Sequence, residues 1–489
     1  MSGFWALGSG FLLAALSGLL LTLAQPPVGW APLAWIALWP LLLAIDGKPW
    51  GQRLLLGGVA GMVWSWSLVG YWLLPAFHEV PLPLVTAALL TQLTIAISGV
   101  LGVVAFAYLC GDWRRTRLSV VSVPAIWVAI EYARANVTGG SPWCLLGHSQ
   151  YAYPAVIQIA DVTGVYGVSF LLCSATMWLA SWSLASSTRR SNLIVASLLM
   201  LLSLGYGAVR LRQRDAAPDT VAIQAVHPAW PRGLGEAAEQ RLADLIRLSE
   251  QAAPDPSALL VWPENALRFH LQEESALRDQ LTAFIQGRRQ YTVAGVHRYD
   301  RDQGTTRYFN SVVLIAAEGS VVGVADKRLL VPVAESRWSL LPSVEQPFTA
   351  GKPWVPLSLG QRQIGVLVCF ESIFPEPARM LVRQGASVLV NPTNDEILGD
   401  GATQLAAMAV FRSVENHVPL VHVGTAGVTQ IVDARGRIVA TENRDPRALT
   451  ATVSADHEGT WYTQMGDVFA LVCCAWLFLS VTYRLLAAR

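Results

Sequence analysis

Charge is what this 489-residue sequence has least of: only 14% of residues are Asp, Glu, Lys or Arg, against about 25% in ordinary soluble domains. No charged residue precedes Asp46, whereas the stretch from about 215 to 457 has normal globular composition. Net charge is also lacking. Thirty-five Lys and Arg balance thirty-four Asp and Glu, so nothing supplies the basic face that a nucleic-acid partner requires. Cysteine is scarce: Cys110, Cys144, Cys173, Cys473 and Cys474 lie in or beside apolar runs, where a thiol is a small hydrophobe. Cys369 is the only cysteine between Asp215 and Asp456, which excludes a disulfide inside that stretch, and no CxxC or Cys/His spacing suits zinc. The sequence therefore calls for no metal and no diffusible cofactor. It also has no repeat of fixed period and no low-complexity segment.

Long apolar runs are abundant. Hydrophobic residues make up 53% of the chain and the mean hydropathy is +0.41. A segment needs about 20 apolar residues to cross a bilayer. Seven candidates precede the globular stretch, at 7–24, 28–45, 54–75, 83–109, 118–134, 162–184 and 193–209, and an eighth follows at 468–486. Asp46, Lys48, Arg53, Arg114, Arg115, Arg117, Arg189, Arg190, Arg484 and Arg489 then fall on one side, which the positive-inside rule makes the cytoplasm. Arg210, Arg212 and Arg214 oppose this, but they lead into a long domain, and long domains translocate largely regardless of charge. The expected organisation is helices 1–7 in residues 1–214, an extracytoplasmic domain in 215–457, and an eighth helix with a cytoplasmic C-terminus in 458–489. Many of the 19 Trp sit near span ends, as an interfacial belt would. Trp143, in Thr138-Gly-Gly-Ser-Pro-Trp143, falls on the same side as the globular domain.

Within 215–457, strand and helix signals alternate. Val221–Val226, Leu259–Trp262, Thr292–Val296, Asn310–Ile315, Val321–Ala325, Ile364–Cys369, Val388–Asn391, Leu420–Val423, Gln430–Asp433 and Ile438–Thr441 read as strands. Glu236–Gln251, Ala276–Gln286, Pro375–Gln384 and Thr403–His417 read as helices. The pattern predicts a layered α/β domain with helices outside a sheet core.

Three residues stand at the ends of apolar strands: Glu264 in Trp262-Pro-Glu264, Lys327 in Ala325-Asp-Lys327, and Cys369 in Val368-Cys-Phe-Glu371. A free thiol titrates near 8.5 and is mostly protonated at neutral pH. A carboxylate can take its proton as the sulfur attacks a carbonyl. A lysine ammonium and the backbone N–H after the nucleophile, here Phe370, can hold the oxygen that becomes negative. Together the three residue types make an acyl-transfer site that passes through a thioester.

The motifs Trp-Pro-Glu, Lys ahead of Leu330-Val-Pro332, and Cys-aromatic-Glu, in this order, resemble the nitrilase (carbon–nitrogen hydrolase) superfamily. With the apolar segments on both sides, the whole chain resembles the apolipoprotein N-acyltransferases. Supporting segments are Ser141-Pro-Trp143, Gly147-His-Ser-Gln150, Asn391-Pro-Thr-Asn-Asp395, Gly427-Val-Thr429 and Thr460-Trp-Tyr462. The resemblance implies an α-helical membrane bundle of about eight transmembrane helices plus a nitrilase-like αββα sandwich. It implies Glu264 as base, Lys327 as oxyanion holder and Cys369 as nucleophile. Glu335 would be a second essential glutamate, with Phe370, Glu371 and Trp143 as supporting residues. The implied partners are a phospholipid acyl donor, a diacylglyceryl-modified apolipoprotein acceptor and the membrane. The implied place is the bacterial cytoplasmic (inner) membrane with a periplasmic catalytic domain. Val333-Ala334, Phe370 and Ile397-Leu398 depart from the usual Phe-Gly, Tyr and aromatic pair of that family. Two other readings remain: a membrane-tethered amidase or nitrilase hydrolysing a small amide, and a non-catalytic lipid-binding or transport protein.

Overall fold

The computed structural model describes residues 2–79, 82–113, 119–137, 140–183, 189–213, 219–230, 237–253, 255–302, 304–332, 335, 347–455 and 459–487. Arg114, Arg115, Arg117, Arg214, Arg489, Val333 and Ala334 lie outside the described residues, as does the start of the Trp143 segment at 138–139. The chain forms two compact units, one from 1–71, 92–213 and 465–489, the other from 72–91 and 214–464.

The first unit is helical. Its long helices include Ser2–Ala24, Ser119–Asn136, Val165–Ser183, Arg189–Arg212 and Val468–Ala487. Trp50–Glu79 and Leu82–Trp113 each contribute residues to both units. Gly57 and Gly61 permit a close helix crossing: a Cβ on Gly57 would meet Ala107 Cβ at 2.8 Å, and one on Gly61 would meet Val100 Cα at 2.8 Å. Among the described residues, two helices are both long and apolar enough to cross a membrane, Val165–Trp182 and Arg189–Arg212. Shorter apolar helices occupy Gly8–Ala24, Ala31–Ile45, Ala96–Gly111 and Val468–Thr482. The expected continuous span at 28–45 is broken. It folds as a 3-10 turn, Ala31–Trp35, and a seven-residue helix, Trp39–Ile45. Pro32 and Pro40 have no N–H to donate and each starts a new element at its first turn.

The second unit contains a four-layer sandwich. Its strands are β1 (Thr220–His227), β2 (Leu259–Val261), β3 (Thr292–Asp302), β4 (Thr305–Ile315), β5 (Val321–Asp326), β6 (Leu357–Leu359), β7 (Arg362–Val366), β8 (Ala386–Thr393), β9 (Leu420–Gly424), β10 (Thr429–Val432), β11 (Ile438–Glu442) and β12 (Arg447–Ser454). They make two six-stranded sheets, ordered β12-β1-β2-β3-β4-β5 and β11-β10-β9-β8-β7-β6. Helices Ala238–Ser249 and Ala276–Arg288 bury Leu242, Leu245, Leu281 and Ile285 against Leu260, Ala294 and Val313 of the first sheet. Helices Pro375–Arg383 and Gly401–Asn416 bury Leu381, Val382 and Ala409 against Leu389 and Leu420 of the second. His227 of β1 and Thr429 of β10 meet between the sheets, Nδ1 to Oγ1 at 3.1 Å. The order helix, sheet, sheet, helix is the αββα arrangement.

The expected elements are present, with four differences. The β3/β4 hairpin is far longer than the two apolar runs, because its outer half carries exposed polar residues such as Asp300, Arg301, Thr305 and Thr306. The chain adds two edge strands, β6 and β12; among the described strands β6 pairs with β7 alone and β12 with β1 alone, and β12 carries a weakly apolar sequence. Cys369, finally, is not on a strand.

Candidate active site

The parallel β7–β8 pairing ends at Val366, opposite Val390. Asn391 Nδ2 then donates to the carbonyls of Leu367 (2.6 Å) and Cys369 (3.1 Å), drawing the backbone out of the ladder. Cys369 opens a 3-10 turn, Cys369–Ile373, at φ +49°. That left-handed conformation is unfavourable for a residue with a side chain. Two features hold it. Ser372 Oγ donates to Cys369 O at 2.9 Å, and His422 Nδ1 lies 2.6 Å from Asn391 Oδ1. The sequence predicted a strand running through Cys369; the structure instead mounts the thiol on a tight turn beyond it.

Glu264 follows β2. Trp262 N donates to Val293 O at 2.8 Å, and Gly295 N to Pro263 O at 3.0 Å, so the segment is stitched to β3. Lys327 follows β5, its N–H donating to Asn310 O at 2.8 Å. Three elements far apart in sequence thus converge. Lys327 Nζ lies 3.2 Å from Glu264 Oε1 and 2.9 Å from Glu335 Oε1. Asn310 Nδ2 donates to the same two oxygens, at 2.7 and 2.8 Å. Asn394 N donates to Glu264 Oε2 at 2.6 Å, and Val331 N to Glu335 Oε2 at 2.8 Å. The Glu264 carboxylate also acts electrostatically on the Cys369 thiol. Cys369 is 7% exposed, Glu264 3% and Lys327 1%.

Electrostatics follow from this enclosure. Burial, and then the nearby Glu264 carboxylate, push the Cys369 thiol well above its ordinary range, while Lys327 pulls the other way. The resting sulfur is a neutral thiol. Burial alone would lower the Lys327 ammonium, but Glu264 and Glu335 outweigh it and hold the lysine charged, well above its ordinary value. In such an arrangement the carboxylate can take the proton from the neutral thiol, and the charged ammonium can stabilise a new oxyanion.

Of the supporting residues expected from sequence, Glu335 joins the cluster directly. Glu371 stands behind it and accepts from Arg328 N (2.9 Å), Leu329 N (3.1 Å), Val368 N (2.8 Å) and Trp354 Nε1 (3.0 Å). It thereby ties the residue after Lys327 to the residue before Cys369. Burial raises its pKa against those four donors. Phe370 is half-buried and packs its ring edge-on against Phe374 at 5.2 Å. Trp143 belongs to the helical unit, is 4% exposed, and its carbonyl accepts Arg134 Nη2 at 3.0 Å. The sequence reading missed Asn310; its one signal is a polar side chain opening an apolar strand. Among the described residues, no group of three His, Cys, Asp or Glu side chains is arranged to hold a metal ion.

Two family descriptions match this chain in tandem: an apolipoprotein N-acyltransferase N-terminal domain over residues 17–178 and a carbon–nitrogen hydrolase over residues 222–462. The chain is similar to the apolipoprotein N-acyltransferase of Geobacter metallireducens, 36% identical over 95% of this chain and 93% of that protein. It is also similar to the one from Allorhizobium ampelinum, at 28% identity over 87% of this chain and 86% of that protein. A solved amidase from Nesterenkonia sp. aligns with 52% of this chain and 95% of its own, at 21% identity and a TM-score of 0.39. With both domains in order and a relative matched over nearly its full length, the chain belongs to the apolipoprotein N-acyltransferase family.

Proposed function

We propose that this chain moves a fatty acyl group from a membrane phospholipid, through a thioester on Cys369, to the N-terminal amine of the lipid-modified cysteine of an apolipoprotein. The observation that carries the residue roles is the buried ammonium of Lys327 between Glu264 and Glu335, with the buried Cys369 thiol close enough to feel all three charges. Glu264 takes the thiol proton as sulfur attacks the ester carbonyl. Lys327 Nζ and the Phe370 N–H hold the oxyanion. The tetrahedral adduct collapses, the C–O bond breaks, and Glu264 returns the proton to the departing lysophospholipid oxygen. The acceptor amine then attacks the thioester and gives a proton to Glu264. The C–S bond breaks, and Glu264 reprotonates the sulfur. Low exposure of Cys369 favours the amine over water in this second stage. Membership of this family disfavours both a small-amide hydrolase and a non-catalytic transporter.

Both substrates carry acyl chains, and each CH₂ moved from lipid to water costs about 0.8 kcal/mol. The acyl group is therefore delivered within a bilayer. On this reading the helical segments cross the bacterial cytoplasmic membrane eight times, with 28–45 as a broken crossing, and the catalytic domain faces the periplasm. Leu12, Leu101, Leu201, Leu202, Phe478 and Leu479 are exposed, as lipid-facing side chains are. Arg210, one of the cations opposing this orientation, is engaged by Asp161 at 3.0 Å.

Intact-mass measurement of the purified protein after incubation with phospholipid tests the chemistry. An acyl-sized increment on the Cys369 peptide, removed by hydroxylamine and absent from Cys369→Ser, is expected. Full transfer by Cys369→Ser would refute the thioester route.

A further inference from the structure

We propose that Glu396, gripped by Arg241 and Arg268, is a positioning residue for the Glu264 base; this inference rests on the reading of Glu264 as base. Glu396 and Arg241 lie 155 residues apart yet form a fully enclosed pair, Arg241 Nη2 to Glu396 Oε1 at 2.6 Å, with 0% and 2% side-chain exposure. Arg268 Nη2 approaches the other oxygen, Oε2, at 3.8 Å. Arg268 stands four residues beyond Glu264 on the segment that carries the base, and Leu267 N fixes that segment to Gly295 O at 3.1 Å. Arg241 comes from helix Ala238–Ser249, with its guanidinium carbon 4.1 Å from the Trp230 ring centroid.

The other end of the clamp is the turn that contacts the base. Glu396 N donates to Asn394 Oδ1 at 3.3 Å, and Thr425 Oγ1 to the same oxygen at 3.2 Å. Trp230 N in turn donates to Thr425 O at 3.0 Å. These bonds hold the Asn394 side chain and with it the turn, whose backbone N–H at Asn394 reaches Glu264 Oε2 at 2.6 Å. Oε1 of Glu264 is already taken by Lys327 and Asn310. Among the described bonds, the Asn394 N–H is therefore what engages the second carboxylate oxygen. A single carboxylate, Glu396, gathers the base's own segment, the turn that donates to it, and an outer helix. The energetic stake is large, because removing one member of a buried ion pair leaves the other uncompensated. Burial raises the Glu396 pKa, and the two arginines oppose this, so its ionised form depends on them.

A carboxylate that loses an N–H donor becomes more basic. Glu396→Gln in the full-length protein in phospholipid micelles should therefore shift the acidic limb of thioester formation to higher pH. It should also slow single-turnover acylation of Cys369 at least 10-fold, with the donor KM unchanged. Arg241→Met combined with Glu396→Leu removes the fully enclosed pair and leaves only the part-exposed Arg268, so it should recover part of the thermal stability without recovering the acylation rate. Glu396→Asp should restore part of the rate. An unshifted acidic limb and a normal rate in folded Glu396→Gln would overturn the clamp, as would an Arg241→Met/Glu396→Leu protein that recovers rate with stability. Glu264→Gln, measured alongside, separates the two ideas. Normal acylation there sinks the assignment of the base, whereas a dead Glu264→Gln with a normal Glu396→Gln sinks only the clamp.

Discussion

Asn310 donates its side-chain amide to Glu264 Oε1 at 2.7 Å, onto an oxygen that also receives Lys327 Nζ at 3.2 Å. The same Nδ2 reaches Glu335 Oε1 at 2.8 Å. Two carboxylates this close repel, and Asn310 and Lys327 are what hold them together. Asn310→Leu removes a hydrogen bond to charged groups, an effect of about 1.5–3 kcal/mol, so Cys369 acylation should slow roughly 10- to 100-fold. Asn310→Asp adds a third carboxylate at the same spot and should be worse than Asn310→Leu. Single-turnover acylation of the two variants checks the order; an Asn310→Asp at least as fast as Asn310→Leu would contradict the electrostatic account.

Lys327 is the more costly residue to lose. It is 1% exposed with a carboxylate on each side. Lys327→Met leaves two buried carboxylates without their cation, and breaking a buried pair in this way costs about 3–5 kcal/mol. We expect no detectable acylation and a marked drop in thermal midpoint. Adding Glu335→Gln to Lys327→Met should return part of the midpoint and none of the activity. Thermal melts of the single and double variants, with acylation measured in parallel, provide the check.

Glu264, Lys327 and Cys369 were legible in the sequence because each ends an apolar strand, and strand ends are where a sheet presents side chains to a cleft. Glu335 came through only by resemblance, since nothing in Val331-Pro-Val-Ala-Glu335 marks it as a partner of a lysine eight residues back. The turn at Cys369 was hidden, because Gly365 to Val368 is as apolar as a strand and the forces that end it, from Asn391 and Glu371, arise elsewhere in the chain. Arg241 offered a clue that went unused. The apolar spacing of Ala238, Leu242 and Leu245 puts position 241 on the buried face of its helix, where a cation needs a partner. In the helical unit, composition identified 28–45 as apolar, but the prolines decide where a helix can continue.

Gly295 tests how closely the base depends on its backbone support. A Cβ built there would lie 2.4 Å from Glu264 Cα and 2.5 Å from Asn265 N. Neither atom can move aside without displacing the Glu264 carboxylate. Gly295→Ala should therefore reduce acylation far more than it alters the fold of the outer helices. Near-native far-UV circular dichroism with acylation down at least 10-fold is the expected pair of results; normal acylation would show that the segment tolerates the shift.

His422 is fully buried, its Nδ1 sits 2.6 Å from Asn391 Oδ1, and Asn391 holds the Cys369 carbonyl. Burial pushes its pKa from 6.5 down to about 4, against the pull of Asp395. His297, beside Glu335, is likewise pushed down to about 4 by burial. Between these values the unfolded chain takes up protons that the folded chain refuses. The contribution of these two histidines is therefore intact above about 6.5, falls as pH drops through the window, and stops falling below about 4, with a ceiling of about 3 kcal/mol for His422. His422→Gln retains a partner for Asn391 and does not titrate. Its unfolding free energy in denaturant should fall less steeply across pH 6.5 to 4, by about 1.4 kcal/mol per pH unit, and the remaining slope should include the His297 contribution. Equal slopes in the two proteins would mean that His422 accepts a proton inside the folded domain.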